Sequence, residues 1–341
     1  MLNVKSHVSL KPYNTFGIDA TARYWLDIDH EEDVQTARQL AEFADLPKLI
    51  LGGGSNVLLT GNFDGLVLRM NMQAITFLRE DERHVYLTVG AGRNWHEFVQ
   101  YCVANNYAGV ENLSLIYGTV GAAPMQNIGA YGVEIEQVFD SLEAVHLQTG
   151  EKRRFTHADC RFGYRESVFK HELKGQYVIT SVTFRLDKTP TFHTSYGAIR
   201  ETLAEMGVAD NQLTIQAISE AVIRIRQSKL PDPAQIGNAG SFFKNPEISR
   251  AQFDALKETY PTMPGYPTGD TTVKVPAGWL IEQAGWKGQR FGDAGVHARQ
   301  ALVLVNYGKA TGEQILDVAK RVQASVADKY GIQLTPEVNI I

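Results

Sequence analysis

Apolar residues recur every three or four positions in several stretches, the spacing that lines one face of a helix. Over residues 31–45 that face is Val34, Ala37, Leu40, Ala41 and Ala44, and Pro47 ends the run. Asn94 stands as an N-cap before Trp95, Phe98, Val99, Cys102 and Val103. Thr214 does the same before Ile215, Ile218, Val222 and Ile225. The longest pattern opens on the capping-box pair Thr311 and Gln314. It carries Ile315, Val318, Val322 and Val326 and stops after Tyr330 at Gly331. Shorter helices are predicted at 198–206 and 277–285.

Strands are predicted at 20–26, 49–51, 142–147, 177–186 (with Val182, Phe184 and Leu186 alternating), 301–305 and 332–338. Glu337 lies in that last, largely apolar strand. Burying an unpaired acid is costly, so Glu337 is either at an exposed strand end or placed for use.

Between these elements lie glycine-rich loops. Gly52-Gly53-Gly54-Ser55-Asn56 follows a short strand directly, a position from which backbone N–H groups can cradle phosphate. The dinucleotide fingerprint needs a third glycine, and Val57 stands there; Gly90-Ala91-Gly92 fails in the same way at Trp95. A Rossmann domain is therefore disfavoured. A phosphate loop of another kind and a structural hairpin both remain open. Residues 111–132 have no clear period, and long irregular stretches in compact domains are usually functional.

Composition narrows the classes. A net charge of -5 argues against a nucleic-acid surface. The two cysteines, Cys102 and Cys160, form no CxxC pair, so a zinc site or disulfide framework is not expected, and both read as structural. The N-terminal residues lack an apolar leader, and no run reaches the ~18 apolar residues of a membrane span. A cytoplasmic protein with no membrane partner and no metal is the expectation.

Candidate chemistry concentrates in Gly237-Asn238-Ala239-Gly240-Ser241-Phe242-Phe243-Lys244-Asn245-Pro246. Taken alone this is a glycine-rich turn before a buried Phe pair. It also offers one hydroxyl at Ser241, flanked by donors suited to an anion at Lys244 and Asn245. Arg165 suits a planar, bidentate grip on a carboxylate, although a lone arginine is more often a surface ion pair. Pro231 and Pro233 fix the helix exit rigidly and leave Lys229 at the mouth of the Ser241 loop. His297 reads as an ordinary loop histidine.

Taken together, Asn14-Thr15-Phe16-Gly17-Ile18, Gly52 to Asn56, the run 118–132, Phe162-Gly163-Tyr164-Arg165, Lys229-Leu230-Pro231-Asp232-Pro233, the Ser241 stretch, Ala277-Gly278-Trp279-Leu280-Ile281 and Pro336-Glu337-Val338 resemble the UDP-N-acetylenolpyruvoylglucosamine reductase (UDP-N-acetylmuramate dehydrogenase, MurB) family. They occur in the family's order across nearly the whole chain. Thr194-Ser195-Tyr196-Gly197 resembles the tyrosine loop of its longer, type I branch. Small departures are Tyr117 for proline, Met125 for isoleucine and Glu166 for aspartate.

The resemblance implies a two-part FAD-binding region of the vanillyl-alcohol-oxidase (PCMH) type at 1–70 and 71–212. A C-terminal α+β substrate-binding domain would follow at 213–341, its last strand packing back on the first part. It implies tightly bound FAD, NADPH as hydride donor and a UDP-sugar substrate, handled by a monomer. Arg165 and Glu337 would act at the substrate's carboxylate, and Ser241 would donate a proton. Tyr196, Lys229, Asn245 and Gln300, with Arg226 assisting, would hold the diphosphate. FAD would lie against Gly52, Gly53, Gly54, Ser55 and Asn56 and against Gly118, Thr119, Val120, Gly121, Gln126, Asn127, Gly129, Tyr131 and Gly132. Two rival readings are another flavin oxidase of the same fold and a sugar-nucleotide-binding protein that has lost catalysis.

Overall fold

The alternation at 177–186 becomes the middle of a five-stranded antiparallel sheet in a computed structural model that describes residues 3–341. Met1 and Leu2, part of the N-terminal stretch read for a leader, lie outside the described residues. The chain divides into two compact units. The first comprises residues 3–8, 22–53 and 64–228; the second comprises 9–21, 54–63 and 229–341. The division falls after Ser228 rather than at 213, so the helix that Thr214 caps belongs to the first unit.

In the first unit, β1 (Lys5–Ser9), β2 (Thr21–Ile28), β5 (Phe63–Met70) and β3 (Lys48–Leu51) form one sheet in the order β1-β2-β5-β3. The other sheet is β11-β10-β12-β7-β6, from β6 (Ile75–Glu80), β7 (His84–Gly90), β10 (Phe139–His146), β11 (Lys152–Thr156) and β12 (Tyr177–Asp187). Helix α1 (Glu31–Gln39) packs Val34 and Ala37 into the first sheet's core. The expected helix to residue 45 stops early. Leu40 is extended, and a short turn at Ala41–Phe43 drives Phe43 into that core while Ala41 and Ala44 stay exposed.

Helix α2 (Trp95–Ala104) is capped as expected, Asn94 Oδ1 accepting the Glu97 amide at 3.0 Å. Its apolar face, with Trp95, Phe98, Val99, Cys102 and Val103, joins Val182, Phe184 and Leu186 of β12 in one core. Cys102 and Cys160 are free, buried thiols. Burial pushes Cys160 up to about 12, which suits an inert core residue. The irregular stretch holds short helical turns at Glu111–Leu113 and Val120–Gln126 and a small hairpin, β8 (Gly129–Ala130) with β9 (Val133–Glu134). After the short α3 (His157–Cys160), helices α4 (Gly197–Glu205) and α5 (Ile215–Lys229) pack through Ile199, Leu203, Ile218, Val222 and Ile225.

In the second unit, β13 (Gly237–Asn238), β17 (Arg290–Phe291), β18 (Ala294–Val296) and β19 (Leu304–Asn306) form a sheet ordered β13-β19-β18-β17. A smaller sheet takes β14 (Glu247–Ser249), β16 (Thr272–Lys274) and β15 (Tyr266–Pro267). Helices α6 (Arg250–Thr259), α7 (Ala277–Gln283) and α8 (Gly312–Tyr330) complete it. The α8 capping box and the left-handed Gly331 are both present. Two strand expectations shift. The strand read at 301–305 begins only at Leu304, because Gln300 turns the chain: its carbonyl accepts from Val303 and its Oε1 from Leu302. The strand read at 332–338 is a single bridge, Phe243 to Pro336. The terminal strand is β20 (Asn339–Ile340), paired in parallel with β4 (Val57–Leu58).

Candidate active site

The loop after β3 is not a hairpin, since β3 pairs with β5 and β4 with β20. It is instead the place where the chain leaves the first unit, between Gly53 and Gly54. A side chain on Gly52 would strike Thr119 Oγ1, and a Cβ on Gly53 would lie 3.1 Å from the Gly118 Cα. Glycine at both positions thus lets two backbone loops of the first unit approach each other. The Thr119 hydroxyl in this contact is buried with no partner among the described residues. An orphaned hydroxyl beside close backbone loops fits a phosphate-rich cofactor such as FAD.

Not every residue expected to hold the cofactor is free to use its side chain. Val120 is fully buried. Asn127 is fully buried too, with a left-handed φ of 45°. Its Oδ1 accepts from Glu136, and its Nδ2 reaches Glu134, Glu136 and the Gly163 carbonyl. No amide hydrogen of Asn127 is left over to donate to a cofactor. Asn56, in the second unit, donates to the Glu337 carbonyl at 3.3 Å and accepts from Asn339, tying down the C-terminal segment.

Tyr164 and Arg165 form a tight tip between Gly163 and Glu166, which exchange both backbone hydrogen bonds. Arg165 sits there at a left-handed φ of 56°, a strained setting of the kind found at functional sites. Its side chain turns inward, to the Gly129 carbonyl at 2.5 Å and to Glu134 at 3.4 Å.

The structure brings Tyr131, Tyr196 and Arg226 into one cluster. The two tyrosine rings meet edge to face at 5.4 Å. Asn112, buried, donates to the carbonyls of Tyr131 and of His193, fastening the tyrosine loop behind them. Arg226 donates through Nε to the Leu115 carbonyl at 3.1 Å and lies near the Tyr131 phenol. Burial holds the Arg226 guanidinium below its usual range and raises the Tyr131 phenol, because each charged form loses water. Tyr196 itself is 55% exposed, unlike an anchored core ring.

In the second unit, Asn238 organises the Ser241 loop. Its Nδ2 donates to the carbonyls of Pro231 and Ile236, and its Oδ1 accepts from Gly240. The Pro231 segment, two residues after exposed Lys229, is thereby fastened to the turn that presents Ser241. Phe242 and Phe243 are buried and hold the serine on a firm base. The Phe242 amide donates to Leu302, and the Glu337 amide donates back to the Phe242 carbonyl, both at 2.8 Å. Ser241 and Glu337 are therefore carried on adjacent backbone. Glu337 is half-buried in a bridged segment rather than at an exposed strand end. Asn245 Oδ1 accepts the Ala277 amide at the start of α7, and Gln300 Oε1 lies beside Gly278 in the same turn. His297 is more buried than an ordinary loop histidine, at 5% exposure, and burial lowers its pKa.

Sequence reasoning missed Glu134 and the side-chain role of Asn127. The one available signal was that Asn127 lies inside the aperiodic stretch 111–132 and Glu134 just beyond it.

Two family models match the chain. An FAD binding domain matches residues 23–156, and the C-terminal domain of UDP-N-acetylenolpyruvoylglucosamine reductase matches 232–341. The UDP-N-acetylenolpyruvoylglucosamine reductase of Amoebophilus asiaticus is 52% identical over 340 residues, covering 100% of both chains. That of Flavobacterium johnsoniae is 50% identical over 341 residues, again covering 100% of both. The crystal structure of UDP-N-acetylenolpyruvylglucosamine reductase (MurB) from Thermus caldophilus superposes with a TM-score of 0.69 at 25% identity, covering 100% of this chain and 99% of that one. No helix among the described residues is long and apolar enough to cross a membrane. With an FAD-binding region and this C-terminal domain in one chain, the protein belongs to the UDP-N-acetylenolpyruvoylglucosamine reductase family of oxidoreductases.

Proposed function

We propose that this chain reduces the enolpyruvyl ether of UDP-N-acetyl-3-O-(1-carboxyvinyl)-glucosamine to UDP-N-acetylmuramate, a peptidoglycan precursor, with NADPH as the reductant. The observation that carries this reading is 52% identity to a reductase of that name along the whole chain. FAD, when bound, supplies the hydride-transferring centre between reductant and substrate.

Reduction places a hydride on one vinyl carbon and a proton on the other, while charge gathers on the α-carbon and its carboxylate. The protein's task is to stabilise that charge and deliver that proton. Arg165 grips the carboxylate, and Glu337 acts at the same end of the substrate. Ser241 donates the proton to the α-carbon. A serine hydroxyl is a weak acid, but a carbanion-like carbon is basic enough to take its proton, and Lys229 eases the developing alkoxide. Lys229, Asn245, Gln300, Tyr196 and Arg226 hold the diphosphate. The backbone of the Gly52 and Gly118 loops and the Thr119 hydroxyl hold the cofactor. The protein works as a cytoplasmic monomer on a small-molecule sugar nucleotide.

The test is a visible spectrum recorded without air. Flavin bands that bleach on adding NADPH and return on adding the enolpyruvyl sugar nucleotide establish cofactor, donor and acceptor together. No flavin bands after addition of FAD overturns the whole reading. Bleaching without return overturns the acceptor alone.

A further inference from the structure

Arg165 has a long, flexible side chain on a strained tip, and leaving it loose would cost rotamer entropy each time it met a ligand. The structure does not leave it loose. Nη2 donates to the Gly129 carbonyl at 2.5 Å, and Nη1 lies 3.4 Å from Glu134 Oε1. Glu134 is itself held, its other carboxylate oxygen accepting from Asn127 Nδ2 at 2.9 Å. That same Nδ2 reaches the carbonyl of Gly163, the residue that opens the Arg165 tip, at 3.1 Å. Asn127 therefore fixes both the carboxylate that meets the guanidinium and the backbone that carries it.

Gly129 admits this arrangement. A Cβ there would lie 2.7 Å from Glu134 Cγ and 2.9 Å from Arg165 Nη1, closer than real Cβ atoms come. The ion pair is long, and its side chains are 18% and 24% exposed for Arg165 and Glu134. An ion pair of that kind contributes little to stability. What it supplies is direction for the guanidinium.

We propose that Glu134, held by Asn127 and admitted by Gly129, is the positioning residue that aims Arg165 at the substrate's carboxylate. This rests on the reaction proposed above. Glu134 acts through Arg165 and need not touch substrate, so its removal tells on ligands that carry the carboxylate and spares those that lack it.

The experiment is calorimetric titration of the FAD-loaded protein with two ligands. One is the enolpyruvyl sugar nucleotide; the other is UDP-N-acetylglucosamine, which has no carboxylate. Glu134→Ala is expected to weaken the first about tenfold and leave the second within about twofold. Glu134→Gln keeps the length and one acceptor oxygen, and should fall between Glu134→Ala and the unmodified protein. Equal weakening of both ligands would show a merely structural role and overturn the proposal, as would no weakening of either. If Glu134→Ala does not fold, Glu134→Gln decides by the same comparison. If the unmodified protein holds flavin but binds no enolpyruvyl ligand, the proposed substrate falls, and this inference falls with it.

Discussion

Ser241 sits on a turn held by Asn238, with a buried Phe pair beneath it, and the proposed chemistry asks it only for a proton. Ser241→Ala should then lower kcat by about 10²- to 10⁴-fold, the usual worth of a placed acid. KM for the sugar nucleotide should change little, and bleaching by NADPH should keep its normal rate. Stopped-flow absorbance separates the two halves, and reoxidation by substrate at the normal rate would remove Ser241 as donor. A second residue-scale effect concerns pH. His96 Nδ1 accepts the Leu115 amide at 2.9 Å, which a protonated ring cannot do. Burial, with Arg226 nearby, holds its pKa below the ordinary value. The unfolded chain therefore binds a proton near pH 6.5 that the folded chain refuses, and stability falls as pH drops through that value. The loss ends only below the folded pKa. His96→Asn offers an oxygen in place of Nδ1 and should flatten this part of the curve. Urea midpoints between pH 7.5 and 5.5 check it, and an unchanged slope would clear His96. Ser241 and Arg165 stood out only in the company of the other stretches, since alone the one reads as part of a glycine-rich turn and the other as a surface ion pair. The work of Asn127 was not legible, because nothing in its spacing says that its amide closes on Glu134 and Gly163.

At the scale of elements, legibility followed the source of each element's stability. Helix α8 carries its own signals in 19 residues: a capping box, a continuous apolar face and a glycine stop. Thr311→Ala removes the hydroxyl that accepts the Gln314 amide and should cost about 1 kcal/mol. A urea series with unchanged slope and a lower midpoint is the expected record, and an unmoved midpoint would mean that packing alone sets the helix start. Where distant partners decide, local pattern misled. Helix α1 ends at Gln39 because Phe43 is worth more in the core than one further helical turn. The segment 332–338 alternates like a strand, yet Phe243 bridges it once, at Pro336, and the ladder forms three residues later, against β4. Both outcomes depend on residues far away in sequence, so no window along the chain contains them.

The whole molecule shows the same limit most plainly, because its second unit is assembled from three separated pieces of chain. Dividing the chain linearly at 70 and 212 could not reveal this. The early pieces are integral to the later one. The Phe16 ring packs on Phe242 at 6.4 Å, and its carbonyl accepts from buried Asn306 at 2.9 Å. The Asn238 amide donates to the Thr15 carbonyl. Gly312 opens α8 so close to the Leu59 carbonyl that no side chain fits, and β20 finds its pairing only in β4. A fragment of residues 229–341, although it spans the whole C-terminal family domain, should therefore fail to fold alone. Losing Phe16 from the core forfeits about 1.5–3 kcal/mol, and leaving Asn306 unpaired costs about 1–3 kcal/mol more. Adding the β4 pairing, the sum approaches the whole stability of an ordinary domain, about 5–15 kcal/mol. Near-ultraviolet circular dichroism and amide dispersion in an NMR spectrum test this directly. A featureless spectrum and a melt without cooperativity are expected. A dispersed spectrum with a sharp melt would mean that residues 9–21 and 54–63 decorate a self-sufficient core, and that the Phe16 and Asn306 contacts carry far less than their burial implies.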